Sequence, residues 1–222
     1  MKRALTALAL AALAIVASGA ATPAAAASKA AAPTRLAGDM TIGAKTARVE
    51  VIEYASLSCH HCREFHRDVL KDIRARYVDT GKVRWTFREF PTEPIVMAIA
   101  GFQLARCKNA DAATYFSRVD TIFEAQPDIF AAMQLGRGRL KFEEISPGMG
   151  VTPAEFQACL MDEAATPRIE AAVAQGEKDG VAGTPTLIIA GKPVPFEDNT
   201  IEGVSRHIDA ALAAAARARQ RR

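Results

Sequence analysis

Two cysteines at the start of a predicted helix constrain this chain more than any other feature of its sequence. Residues 49–54 form an apolar run rich in β-branched and aromatic side chains, which predicts a buried strand. A helical pattern follows, and Cys59 and Cys62 lie at its start. Unpaired backbone N–H groups and the helix macrodipole stabilise an anion in this first turn. Cys59 is therefore a candidate thiolate nucleophile.

The predicted helix has a single apolar face. Its members recur every three or four positions, at Cys62, Phe65, Val69, Ile73 and Tyr77. This pattern shields Cys62 and leaves Cys59 accessible. A dithiol of this kind can attack with the accessible sulfur and resolve the mixed disulfide with the shielded one.

The first residues have the features of a secretory signal peptide. Lys2 and Arg3 precede an apolar stretch over 4–17, and small residues follow. We predict a cleaved signal over 1–27 and a disordered, Ala-rich lead-in over 28–35. The alternative is a membrane anchor, which the glycine and proline of this stretch disfavour.

The charge balance gives no indication of nucleic-acid binding. Without Lys2 and Arg3 the chain has 26 basic and 25 acidic residues, and a share of the basic ones lies in the tail 217–222. We interpret this tail as a solvated, basic helix end. A near-neutral body argues against a nucleic-acid partner.

The order of predicted elements indicates an α/β protein. A second strand over 83–87 follows the first helix, which makes a βαβ unit, and a strand near 186–189 and a final helix over 200–216 close the chain. The intervening residues are predominantly helical, with predicted helices over 95–106, 112–124, 129–135, 153–161 and 169–178. We predict a mixed central sheet, built from residues 36–94 and 179–216, with a large helical insertion over 95–178.

Four cysteines in an exported chain are more typical of disulfides or redox thiols than of metal ligands. They allow three pairings. We favour the local pair Cys59 with Cys62, which leaves Cys107 with Cys159 as a structural disulfide. The alternative role for the second pair is to tune the redox site from a distance.

The chain resembles the DsbA-like thiol:disulfide oxidoreductases, which have the thioredoxin fold. The resemblance rests on the Cys59-His60-His61-Cys62 motif after a strand, the helical insertion, and Gly183-Thr184-Pro185-Thr186 before the next strand. It implies a thioredoxin-like fold with a large inserted helical domain.

The resemblance also implies roles for individual residues. Cys59 would be the nucleophile and Cys62 the resolving thiol. Pro185 would be a cis-proline, preceded by Thr184, in a loop that packs against the disulfide and pairs with the substrate backbone. Glu53 would be a buried acid that exchanges a proton with Cys62; the alternative is a surface charge.

Two histidines separate the cysteines. By the resemblance, His61 would donate to the Cys59 thiolate. His60 replaces the proline of enterobacterial members and adds a second potential cation. We interpret His66, one turn after Cys62, as a helix-surface residue.

The function that the resemblance implies is a periplasmic dithiol oxidase. It would act on unfolded secreted proteins as a monomer, without a cofactor, and a DsbB-type membrane partner would reoxidise it. An isomerase or reductase remains an alternative, because Thr184 is also common in thioredoxins and isomerases. A third hypothesis is a Zn²⁺ or Cu(I) module that uses Cys59, Cys62 and an intervening histidine.

Overall fold

A five-stranded mixed sheet lies at the centre of the protein. The computed structural model describes residues 34–221, so the predicted signal peptide and most of the predicted lead-in lie outside the described residues. The strands are β1 (Met40–Ile42), β2 (Val49–Ala55), β3 (Val83–Glu89), β4 (Thr186–Ile189) and β5 (Lys192–Pro193). Their spatial order is β1-β3-β2-β4-β5. Strands β2 and β3 are parallel, and the other neighbouring pairs are antiparallel.

One long helical segment connects β2 to β3. It consists of α1 (His60–Phe65), a π turn (His66–Leu70), α2 (Lys71–Ile73) and a second π turn (Arg74–Val78). The insertion contains α3 (Ile95–Arg106), α4 (Ala112–Gln134), α5 (Gly138–Ile145), α6 (Pro153–Leu160) and α7 (Ala165–Lys178). Helix α8 (Ile201–Gln220) ends the described chain. No helix within residues 34–221 is both long and apolar enough to cross a bilayer.

The mixed sheet and the helices between β3 and β4 confirm the predicted fold class. The buried residues follow the apolar patterns from which the first strand and the first helix were predicted. Every member of the predicted apolar stripe is buried, and β2 is buried on both faces. An aromatic cluster without solvent exposure fills the space between sheet and insertion, and it includes Trp85, Phe87, Phe102, Tyr115 and Phe116. Each such side chain contributes on the order of 2 kcal/mol by leaving water.

Helix α4 differs from the prediction. It is continuous over Ala112–Gln134, where the sequence predicted two helices, and Pro127 lies inside it. A proline lacks the N–H that would bond to the carbonyl four residues before, here that of Phe123. Arg63 Nε donates to this carbonyl at 3.0 Å. The Arg63 side chain from α1 thus replaces the missing donor, and the helix continues past Pro127.

Two other helices of the insertion also depart from the predicted pattern. Helix α5 was not predicted as a separate element, and α7 begins at Ala165 rather than at residue 169.

A disulfide joins Cys107 to Cys159, with 5.5 Å between their Cα atoms. It spans 52 residues. Closing a loop of this length stabilises a fold by about 4 kcal/mol in the chain-entropy model.

A buried ion cluster attaches the insertion to the sheet. Glu89, at the end of β3, accepts from Arg106 Nε at 2.6 Å and from the hydroxyl of Tyr115 at 3.0 Å. Its other oxygen lies 3.4 Å from Arg168 Nε. Because Arg106 belongs to α3 and Arg168 to α7, one carboxylate holds both ends of the helical block against the sheet.

Candidate active site

The loop before Cys59 is fixed by buried hydroxyl groups. Ser58 Oγ donates to the carbonyl of Thr92 at 2.7 Å, and the N–H of Thr92 donates to Ser56 Oγ at 3.1 Å. Ser56 and Ser58 also bond to each other at 2.9 Å. These contacts join the end of β2 to the chain that follows β3. They place Cys59 as the N-cap of α1, with extended backbone angles.

The two active-site sulfurs have opposite electrostatic environments. Cys59 is partly exposed, and a hydrogen bond from Cys62 is the largest cause that lowers its pKa to about 5. Partial burial opposes this shift, while Thr184 and the backbone N–H groups of Cys62 and His61 add to it. Burial raises the pKa of Cys62 well above its ordinary value, and the neighbouring Cys59 reinforces the shift. At neutral pH Cys59 is a thiolate and Cys62 is a thiol.

The Thr184–Pro185 loop lies beside the exposed sulfur. Its peptide bond is cis, and the carbonyl of Thr184 is 3.3 Å from Cys59 Sγ. Asn199 Nδ2 donates to the carbonyl of Pro185 at 3.1 Å. Sequence reasoning did not identify Asn199, which fixes this loop from the segment that precedes α8.

The two histidines of the motif are exposed and contact each other. Their ring centroids are 3.8 Å apart. His61 Nδ1 lies 3.2 Å from a carboxylate oxygen of Glu64, and its ring meets Phe196 edge-on at 5.6 Å. The backbone N–H of His61 lowers the pKa of Cys59, whereas its ring is directed to Glu64. His60 takes part in this surface through the contact of its ring with that of His61.

Glu53 has no solvent exposure and two hydrogen-bond partners. Trp85 Nε1 donates to its Oε2 at 2.9 Å, and His66 Nε2 lies 3.0 Å from its Oε1. The negative charge of Glu53 is one of the causes that raise the pKa of Cys62. The structure therefore places this carboxylate in the interior, close enough to Cys62 to act on its ionisation.

The prediction that His66 lies on the helix surface is wrong. Its side chain is 2% exposed, and it connects buried Glu53 to Asp120 of α4, whose Oδ1 lies 3.1 Å from His66 Nδ1. Burial alone would lower the pKa of His66, but the two carboxylates outweigh it and raise the pKa to about 9. A signal was present in the sequence: His66 is four residues after Cys62, which places both on one helix face.

Gln126 of α4 is a second residue that sequence reasoning missed. It is buried, and its Nε2 donates to the carbonyl of Leu57 at 2.9 Å and to that of Cys59 at 3.2 Å. Helix α4 of the insertion thus binds two backbone carbonyls of the turn that carries Cys59. No sequence signal points to this contact, because it depends on how α4 packs against α1.

The geometry gives little support to a cysteine-based metal site. Within residues 34–221, the donor atoms that cluster closely enough to hold an ion belong to His60, His61 and Glu64, and all three residues are exposed. Neither thiol belongs to this set. A closed zinc site or a soft Cu(I) site would require the sulfurs.

Residues 35–210 match a family model described as thioredoxin. The chain belongs to the thioredoxin family. The chain is similar to the solved structure of Wolbachia pipientis alpha-DsbA1, with a TM-score of 0.69 and 25% sequence identity. The match covers 82% of this chain and 94% of the Wolbachia chain. Oxidised BdbD from Bacillus subtilis, at 18% identity, shares the fold with a TM-score of 0.67, over 83% of this chain and 97% of that one. The predicted DsbA-like thioredoxin-fold family is confirmed.

A sequence relative agrees with the structural neighbours. A Rickettsia typhi protein, provisionally named a protein-disulfide oxidoreductase, is 32% identical over 179 residues. The match covers 78% of this thioredoxin-family chain and 62% of the relative. The chain therefore spans less than two thirds of the length of that relative.

Alkylation of Cys59 in this thioredoxin-family protein is expected to reach half its maximal rate near pH 5. The reason is that the thiolate reacts and the pKa of Cys59 is about 5. The variant Cys62→Ala is expected to raise this midpoint by about one pH unit or more, because it removes the largest stabilising hydrogen bond. Iodoacetamide labelling followed by mass spectrometry measures both midpoints. A wild-type midpoint near pH 8 would contradict the assignment.

Proposed function

We propose that this chain is an exported thiol:disulfide oxidoreductase that works as a dithiol oxidase through Cys59 and Cys62. The observation that carries the proposal is the opposite ionisation of the two sulfurs, with the pKa of Cys59 at about 5 and that of Cys62 well above its ordinary value. A stable thiolate is a good leaving group and favours the reduced form of the pair. The oxidised pair is then a strong acceptor of electrons.

The proposed reaction has two exchange steps. A substrate thiolate attacks Cys59, the Cys59–Cys62 bond breaks, and Cys62 leaves with the electron pair and takes up a proton. A second substrate thiolate then attacks the substrate sulfur of the mixed disulfide and releases Cys59 as a thiolate. The substrate is oxidised from a dithiol to a disulfide, and the active-site pair is reduced.

Individual residues have distinct tasks in this scheme. The Thr184–Pro185 loop contacts the substrate backbone at the reacting sulfur, and its position beside Cys59 supports this role. Glu53 exchanges the proton of Cys62, which the burial of both groups and their electrostatic coupling support. His60 and His61 form the exposed rim of the site.

The cellular context belongs to the same proposal. The basic and apolar start of the sequence supports export across a membrane. We propose unfolded secreted proteins as substrates and a DsbB-type membrane protein as the oxidant that regenerates the Cys59–Cys62 disulfide in the periplasm. We further propose that the protein acts as a monomer.

The decisive experiment is the reduction potential of the Cys59–Cys62 pair, titrated against glutathione buffers. We expect a value near about −120 mV, as for strong protein oxidants, whereas about −270 mV would indicate a reductase. A variant with both Cys107→Ser and Cys159→Ser serves as the control. An unchanged potential with lower thermal stability shows that the second disulfide is structural, and a shifted potential shows that it tunes the site.

The alternative is an isomerase or reductase with the same site. Thr184 favours it, because this residue is common beside the cis-proline of such proteins. An intermediate potential near about −180 mV, together with efficient rearrangement of a scrambled substrate, would support isomerisation over net oxidation.

A further inference from the structure

A continuous line of hydrogen-bonding groups leads from the buried active-site acid to the protein surface. Glu53 is fully buried on β2, and its carboxylate contacts His66 Nε2 at 3.0 Å. The other ring nitrogen of His66 lies 3.1 Å from Asp120, whose side chain is 45% exposed. An imidazole bound on both nitrogens can accept a proton on one side and release one on the other.

This line ends at an open cavity on the described part of the chain. The cavity has a volume of about 580 Å³, and His66, Asp120 and Phe123 contribute to its wall. Neither active-site cysteine and no part of the Thr184–Pro185 loop lines it. A substrate on the Cys59 surface would cover the thiol face of the site, and the cavity would still connect His66 to water.

The helix has an unusual form where His66 enters the site. A π turn begins at this residue and runs to Leu70. Such turns are rare and occur frequently at functional sites. Both His66 and Leu70 are buried here together with the stripe residue Val69, so the inward face is wider than the stripe that the sequence predicted.

We propose that His66 relays protons between Glu53 and the water of this cavity while Cys62 gains or loses its proton. The inference rests on the proposed role of Glu53 in that exchange. The relay starts from the neutral ring that carries its proton on Nδ1. When Cys62 attacks the mixed disulfide, its proton passes to Glu53 and on to His66 Nε2, and the proton on Nδ1 then leaves for Asp120 or water. When Cys62 is the leaving group, the same transfers run in reverse. His66 does not touch the reacting sulfurs and acts as a positioning residue through Glu53.

The charges around His66 set the pH range in which it can relay a proton. Glu53 faces it from β2 and Asp120 faces it from α4, and together they raise its pKa to about 9. Arg74 Nη1 lies 3.6 Å from the outer oxygen of Asp120. The other charged groups of the cavity wall are Arg63, Arg67, Lys71, Asp79 and Glu124. The two carboxylates keep the ring protonated for most of the time at pH 7, so the neutral form that starts the relay becomes more populated as the pH approaches 9.

The test separates the step that Cys62 performs from the step that Cys59 performs. Reduced protein reacts with glutathione disulfide, and acid quenching at millisecond times distinguishes the mixed disulfide from the closed Cys59–Cys62 disulfide. The variant His66→Gln is expected to slow the closing step at pH 7 about tenfold, less than the roughly 10²-fold typical of a group that transfers the proton directly. Formation of the mixed disulfide is expected to stay within about twofold, because Cys59 ionises independently of His66.

The pH profile distinguishes a relay from a structural role. The closing rate of the wild type is expected to inflect near pH 9, and this inflection is expected to be absent in His66→Gln. Asp120→Asn removes a partly exposed group, so it keeps the test valid if His66→Gln fails to fold. Loss of this carboxylate lowers the pKa of His66, and the inflection should move to lower pH. His207→Gln is the matched control, because His207 on α8 forms a comparable pair with Asp198, which precedes that helix.

Each outcome has a defined meaning. If the closing step of both His66→Gln and Asp120→Asn keeps its rate and its inflection, the relay is refuted. Glu53→Gln separates this result from a failure of the proposed function. If the closing step is slow in Glu53→Gln but normal in His66→Gln, only the relay is contradicted. If the closing step is normal in Glu53→Gln, the proposed role of Glu53 itself is contradicted. Rescue of His66→Ala by added imidazole, but not by the weakly basic pyrazole of the same shape, would support the relay.

Discussion

Replacing Cys59 with serine is expected to lower the rate of disulfide formation in a reduced, unfolded ribonuclease by on the order of 10³-fold or more. The hydroxyl of serine is not ionised at neutral pH, and the hydrogen bond from Cys62, which contributes most to lowering the pKa of Cys59 to about 5, cannot ionise it. Cys62 cannot substitute, because it is fully buried and its pKa is raised well above the ordinary value. Recovery of ribonuclease activity measures the rate.

The variant Cys62→Ser provides the matched control for this experiment. It keeps the nucleophile and removes the resolving sulfur. When it is mixed with scrambled, disulfide-bonded ribonuclease, the Cys59 thiolate should attack a target disulfide, release one target thiolate and remain joined to the other sulfur. Non-reducing electrophoresis is expected to show a mixed-disulfide adduct with Cys62→Ser and none with Cys59→Ser. Adducts formed equally by both variants would contradict the assignment of Cys59 as the nucleophile.

The sequence predicted those parts of the fold that depend on local pattern. The strand before Cys59 and the apolar stripe of the following helix could be predicted because burial imposes a period on a chain. The order strand, helix, strand then determined the parallel pair of β2 and β3, because such a crossover brings its strands parallel. These inferences required no knowledge of how distant segments pack.

The active site was predictable only in its central residues. The spacing of the two cysteines at a helix start indicates a redox pair. Glu53 stands out because it is a carboxylate within an apolar strand. Two further groups come from α4, more than fifty positions away in the chain: Asp120 contacts His66, and Gln126 contacts the carbonyls of Leu57 and Cys59. Asp120 and Gln126 have no local feature that sets them apart from other polar residues of a helix, so their contacts follow from tertiary packing alone.

His66 shows how a local pattern can mislead. A histidine within a charged stretch is typical of a solvated helix face, and the stripe had already been assigned to other residues. The π turn widens the buried face, and Glu53 supplies the counter-charge that makes burial of an imidazolium tolerable. The regular spacing of His66 from Cys62 already placed it on the buried face, whereas the contacts with Glu53 and Asp120 that pair the buried ring depend on tertiary packing.

Replacing Arg88 with methionine is expected to destabilise the protein by about 3–5 kcal/mol. The side chain of Arg88 is 1% exposed and bonds to both carboxylate oxygens of Asp39, at 2.8 and 2.7 Å. It also donates to the hydroxyl of Tyr54 at 2.7 Å, and that hydroxyl donates to Asp179 at 2.6 Å. Methionine has a similar volume but no donor, so Asp39 would remain as a largely buried charge without its partner. Urea unfolding of the reduced and oxidised proteins measures the loss.

Two variants determine whether the loss comes from the unpaired charge or from packing. Arg88→Lys keeps the charge and loses the planar fork, so its effect should lie between those of the wild type and methionine. Adding Asp39→Asn to Arg88→Met should recover part of the lost stability, because the remaining partner is then neutral. A loss below about 1 kcal/mol in Arg88→Met would mean that water reaches Asp39 and replaces the guanidinium. Additive losses in the double variant would instead assign the effect to packing around β3, because the cost of the unpaired carboxylate disappears once Asp39 is neutral.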